Sequence, residues 1–76
     1  MKQIDFELRG EFIPLDSLLK ATGLADSGGR AKTMVSEGMV LVDGQTESRK
    51  TAKIRAGQVV TVENVRISVM TEKPRD

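Results

Sequence analysis

The apolar positions change period along the chain, and each change marks a structural element. Ile4, Phe6 and Leu8 alternate with Asp5, Glu7 and Arg9, the period of a strand that buries one face, and Gly10 ends it. Pro14 suits the first position of a helix, after which Leu15, Leu18, Leu19 and Thr22 fall on one helical stripe. Gly23 is a natural stop for a helix this short. Asp26 or Ser27 can cap a second helix, whose inner stripe is Ala31, Met34 and Val35 and which Gly38 closes. The two helices are too short to stand alone and are expected to pack through their apolar stripes.

From Gly38 onward the period is two. Residues 39–42 (Met-Val-Leu-Val) read as a strand, Asp43-Gly44 as a tight turn, and Gln45-Thr46-Glu47 as a short return. Ala56-Gly57 marks a second turn. Residues 59–62 and 65–70 pair through a turn at Glu63-Asn64, and 71–76 is expected to be a loose polar tail. Strand, two helices, then several strands make an α+β domain with a small, mainly antiparallel sheet over residues 1–70.

Composition narrows the chemistry. The 76 residues contain no Cys, His, Trp or Tyr. Disulfides, thiolate nucleophiles, imidazole ligands and every His-dependent triad are therefore absent, and no acidic pair is brought together by the pattern. Catalysis, a bound metal and a cofactor are not expected. No apolar run approaches the ~20 residues of a membrane span. The start, Met1 to Asp5, leads into no apolar stretch, so the expected setting is a reducing cytoplasm, without membrane attachment. The expected oligomeric state is a monomer.

The net charge of +1 conceals a gradient: residues 1–26 carry a net −2, residues 27–58 a net +3, and residues 59–76 none. Arg49, Lys50, Lys53 and Arg55 place four cations in seven residues without an acid. In an extended conformation Arg49, Thr51, Lys53 and Arg55 share one face, with Ala52 and Ile54 opposite. Arg49 and Arg55 would then lie ~20 Å apart, a ladder able to touch several phosphates of one backbone.

A second anion-directed feature is Ser27-Gly28-Gly29-Arg30-Ala31-Lys32. Two glycines in the first turn of a helix cost roughly 1 kcal/mol each relative to Ala. They serve either close approach of a ligand to the open N–H groups of the helix start, or a tight inter-helix turn and close packing. Arg30 and Lys32 flank the inner stripe about 160° apart at 100° per residue, able to grip a convex backbone from two sides. A phosphate-loop reading of Gly23 to Gly28 fails, because Gly29-Arg30 stands where Lys-Ser/Thr is required. Phe6 and Phe12, the two aromatics, are expected in the core or covering a helix, which disfavours base stacking and favours folded RNA over an unstructured strand.

The stretch from Leu15 to Val62 resembles the S4 RNA-binding domain, or alpha-L motif. The matching residues are Leu15-Asp16, Leu19-Lys20, Gly23, Ser27, Ala31-Lys32, Val35, Glu37-Gly38, Val40, Val42-Asp43-Gly44 and Gly57. The resemblance covers about two-thirds of the chain, and Ser27–Lys32 with Glu47–Lys53 looks like small free-standing bacterial members. It implies a non-enzymatic protein that docks its helix pair and an adjoining loop onto structured RNA, ribosomal or transfer RNA, in association with the ribosome. Carried over by position, Ser27, Gly28, Gly29, Arg30 and Lys32 form the helix-start contact and Asp43 and Gly44 the loop contact. Arg49, Lys50, Lys53 and Arg55 add phosphate contacts. This chain has Ser27-Gly28 where many members have Ser-Arg, with Arg30 as a replacement cation, and Asp43 where Asn is common. The alternative expectation is a protein-interaction module whose basic surface meets an acidic partner.

Overall fold

A computed structural model describes residues 2–71. The chain runs through β1 (Lys2–Leu8), β2 (Ile13–Pro14), α1 (Leu15–Ala21), α2 (Gly28–Ser36), β3 (Val40–Val42), β4 (Gln45–Thr46), β5 (Lys53–Ile54), β6 (Val59–Val62) and β7 (Val65–Thr71). Five strands form one sheet in the order β1-β7-β6-β3-β4, and β2 and β5 form a separate two-stranded piece. The expected α+β class and mainly antiparallel sheet are as read from the pattern. The one parallel pairing in the larger sheet joins β1 to β7, with Ile4 opposite Ile67 and Phe6 opposite Val69.

The core lies between the helix pair and the sheet. Leu15, Leu18 and Leu19 of α1 and Ala31, Met34 and Val35 of α2 are buried, matching the two apolar stripes. Val40, Val60, Val62, Ile67 and Val69 supply the inner face of the sheet, and Ala52 and Ile54 complete the cluster beside β2. Both helices are too short to persist without this packing.

Four boundaries differ from the sequence pattern. Pro14 caps α1 instead of opening it, its extended ψ of 144° placing it in β2. Met39 belongs to the end of α2 instead of β3. Its N–H bonds the Met34 carbonyl at 3.1 Å while Gly38 N–H bonds Val35 O at 3.1 Å, the paired bonds of a Schellman cap with Gly38 at φ +77°. The segment 49–55 is not extended throughout. Ala52 N–H bonds Arg49 O at 3.2 Å, closing a turn, and strand geometry is confined to Lys53 and Ile54. Of the expected tail, Thr71 closes β7, and 72–76 lie outside the described residues.

The turn in 49–52 is held by α1. Pro14 offers no side-chain cap, so the first helical N–H groups need other partners. Leu15 N–H bonds Ala52 O at 2.9 Å and Asp16 N–H bonds Lys50 O at 3.0 Å. The basic loop thereby caps the helix through its backbone, with the side chains of Arg49, Lys50 and Thr51 exposed and that of Ala52 buried.

Asp43 makes a comparable tie across the sheet. It sits at φ +53° in the turn after β3, and its own N–H bonds Val59 O at 2.8 Å. One carboxylate oxygen accepts from Val59 N–H at 3.0 Å and the other from Gln58 Nε2 at 3.2 Å. Gln58 Oε1 in turn accepts from Arg55 N–H at 2.8 Å. The position uses acceptors on both oxygens, which a carboxylate supplies and an amide does not.

Two outcomes follow from these contacts. Leu19→Ala should cost about 2–5 kcal/mol, a large share of the stability of so small a domain, read as a lower urea midpoint at unchanged slope. Asp43 is held below its ordinary pKa of 3.8, first by the Val59 N–H bond and then by Gln58. A lowered folded-state value means stability that is present above 3.8 and is lost as pH falls through that lower value. Asp43→Asn should therefore be less stable than the wild type at pH 7, and the two urea midpoints should converge as the pH falls below 3.8 and through the lowered folded-state value. A gap that persists undiminished in acid would mean that the carboxylate charge is not what the turn uses.

Candidate nucleic-acid interface

The candidate residues fall into two groups. The first is the start of α2. Ser27 is the N-cap, extended at φ −159° and ψ 165°, and its Oγ accepts from Arg30 N–H at 3.1 Å. Of the two candidate caps, it is Ser27 that fills the position. Arg30 and Lys32 are exposed on either side of the buried Ala31.

Gly28 and Gly29 have no structural need to be glycine. Neither adopts a positive φ, a Cβ on Gly28 would meet nothing within 4 Å, and a Cβ on Gly29 would meet only Ser27 Oγ at 3.9 Å. The packing and tight-turn explanation open in the sequence is thus removed. The helix forgoes side chains at two positions where alanine fits, and the space beside its first N–H groups stays clear.

The second group is the basic loop and its surroundings. Arg49, Thr51, Ala52 and Lys53 line one open cleft of ~390 Å³. From Thr51 to Arg55 the expected alternation holds: Thr51, Lys53 and Arg55 are exposed while Ala52 and Ile54 are buried. Lys50 is exposed on the turn. The strand pairing of Lys53 with Pro14 and Ile54 with Ile13 fixes the loop beside the start of α1.

The four cations are not equivalent. Glu47 folds back onto Arg49, accepting from its N–H at 2.9 Å, from Nε at 3.1 Å and from an Nη at 3.4 Å. The guanidinium bond, followed by the backbone bond, lowers the Glu47 pKa, and the same carboxylate raises that of Arg49. The Arg49 side chain is 77% exposed and that of Glu47 17%, so the arginine is oriented from behind while its outer face remains open. The acid-free window 49–55 concealed this partner because Glu47 stands just outside it. Asp43 and Gly44 are exposed in their turn, and Asp43 reaches the basic segment through Gln58 and the Arg55 amide.

Phe12 departs from the expectation. Phe6 is half-buried against the core, but Phe12 is 38% exposed, and Lys53 Nζ lies 5.1 Å from the centre of its ring. Nothing in the residue pattern around Phe12 distinguishes a covered ring from an open one. The signal is its place just before β2, which pairs with the basic strand.

Among the described residues there is no cluster of His, Cys, Asp or Glu able to hold a metal ion, and no helix is long and apolar enough to cross a membrane.

Comparison with known proteins places this geometry. The S4 domain matches residues 6–70. YbcJ of Escherichia coli K12 is 49% identical over 49 residues, which cover 64% of this chain and 70% of YbcJ. "Probable ribosome maturation protein RlbA" of Bacillus subtilis is 40% identical over 53 residues, 70% of this chain and 75% of that protein. A tyrosine–tRNA ligase of Nitrosospira multiformis is also 40% identical over 53 residues, but these make up only 13% of the ligase, so the likeness is to one domain of it. The solution structure of E. coli YbcJ, described as revealing an alphaL motif involved in RNA binding, superposes with a TM-score of 0.64 at 37% identity, covering 93% of this chain and 89% of YbcJ. With the match spanning nearly the whole described fold, the helix pair and sheet built above belong to the S4 domain family.

Proposed function

We propose that this domain is a non-catalytic binder of structured RNA, ribosomal or transfer RNA, that reads backbone shape with the start of α2 and the basic loop. The observation that carries the reading is the glycine pair. Gly28 and Gly29 sit at the first two positions of a helix with negative φ and open space where a Cβ would stand. Helix propensity opposes them by up to about 1 kcal/mol each, and no packing or backbone need among the described residues offsets that. A phosphate approaching the free N–H groups does.

Around that contact, Arg30 and Lys32 supply charge on either side, and Lys50, Lys53 and Arg55 supply it from the loop. Arg49 contributes its open face while Glu47 sets its orientation. Asp43 and Gly44 make the neighbouring turn contact, the Asp43 carboxylate being tied to Val59 and Gln58. Residues 1–70 act as a single RNA-binding unit, monomeric and cytoplasmic, in association with the ribosome. The names of YbcJ's motif and of RlbA support the ligand class and the ribosomal setting.

Two measurements test this reading. Titration with transfer RNA over a range of salt should give log K against log salt a slope of about −3 to −4, as expected for about four phosphate contacts, and Lys53→Glu/Arg55→Glu should weaken binding and flatten that slope by about two. Equal affinity of the wild type and this double variant would remove the basic loop from the interface. Gly28→Ala/Gly29→Ala should raise thermal stability, by up to about 1 kcal/mol per site, yet weaken RNA binding by about tenfold. Undiminished binding by the stabilised variant would sink the helix-start contact. Nuclease-resistant co-purification with one acidic protein would instead point to a protein partner.

A further inference from the structure

Phe12 is the exposed aromatic ring among the described residues, and it lies beside the cations rather than apart from them. A single exposed apolar side chain is ordinary in itself. What sets Phe12 apart is its cover. The residue over its ring is Lys53, which also lines the open cleft with Arg49 and Thr51. β2 follows Phe12 directly, and its pairing with β5 places Pro14 opposite Lys53, so ring and ammonium are held together by backbone register.

A cation over an exposed ring is a weak contact, and a phosphate is a better partner for an ammonium than a ring face. A phosphate entering the cleft would draw the Lys53 Nζ outward and would bare the Phe12 face. A group suited to that face, on a backbone whose phosphate engages Lys53, is a base lifted out of its stack. Base–aromatic stacking is tolerant of base identity because every base offers a π-face.

We infer that Phe12 is a stacking platform for one unpaired nucleobase, so that the ligand is a duplex backbone interrupted by a bulged or looped-out nucleotide. This rests on the RNA-binding reading above and adds to it a preference that charge alone does not give. Phosphate contacts by Arg and Lys position an RNA without choosing between a continuous duplex and an interrupted one.

The test compares two RNA hairpins of about twelve base pairs, identical except that one carries a single bulged 2-aminopurine. The wild type is expected to bind the bulged hairpin about 5- to 150-fold more tightly, the range for stacking of one base, with quenching of the 2-aminopurine fluorescence. Phe12→Leu, which keeps an apolar side chain at an exposed position, should bind both hairpins equally and leave the fluorophore unquenched. Its affinity for the continuous hairpin and its salt slope should match the wild type. Phe12→Trp should retain the preference and the quenching. Equal wild-type affinity for the two hairpins, or a preference that survives in Phe12→Leu, overturns the stacking role while leaving the RNA reading intact. Salt-insensitive or undetectable binding of both hairpins and of transfer RNA overturns the RNA reading and the stacking role with it.

Discussion

The start of α1 needs hydrogen-bond acceptors that its own sequence does not provide. Pro14 brings no capping side chain, and the carbonyls of Lys50 and Ala52 fill the gap at Asp16 and Leu15. That requirement draws a segment more than thirty residues downstream against the helix pair and curls it into a turn. The same two bonds that complete a helix therefore position the densest run of cations in the chain. Burial of Ala52 and Ile54 beneath the loop locks the arrangement, since an exposed loop capping a buried helix start would otherwise open readily.

Acidic residues organise this surface without cancelling it. Glu47 is half-buried beside Arg49 and holds the guanidinium, whose side chain stays 77% exposed. Asp43 spends both carboxylate oxygens on β6 and Gln58, and Gln58 passes the tie to the Arg55 amide. In each case a carboxylate is consumed by internal donors, so its charge serves loop geometry. The departure from Asn at position 43 is explained in the same terms: two acceptors are needed there, and an amide has one.

Much of the fold was legible because it depends on period. The stripes Leu15-Leu18-Leu19 and Ala31-Met34-Val35, the Asp43-Gly44 turn and the hairpin at Glu63-Asn64 each rest on residues within one or two turns of each other. What the sequence left open depends on partners distant along the chain. The turn at 49–52 answers a need of α1, and the parallel partner of β1 lies more than sixty residues away. The candidate site divides the same way. A cap at Asp26 or Ser27 and the cations were readable as local signals, and so was the oddity of Gly28 and Gly29, whereas the choice of Ser27 rests on its bond to the Arg30 N–H. Their lack of any internal purpose required knowing that the space beside them is open. The exposure of Phe12 required knowing that β2 runs beside β5.

The parallel pairing of β1 and β7 has a mechanical consequence. Lys2 stands opposite Val65 and Leu8 opposite Thr71, so the first and last described residues sit at opposite ends of one ladder. Tension applied between residues 2 and 71 loads those hydrogen bonds in shear, all at once, instead of peeling them one at a time. The fold thus resists pulling from its ends along the β1–β7 pair, whose ladder is separate from the two-stranded pairing of β2 with β5.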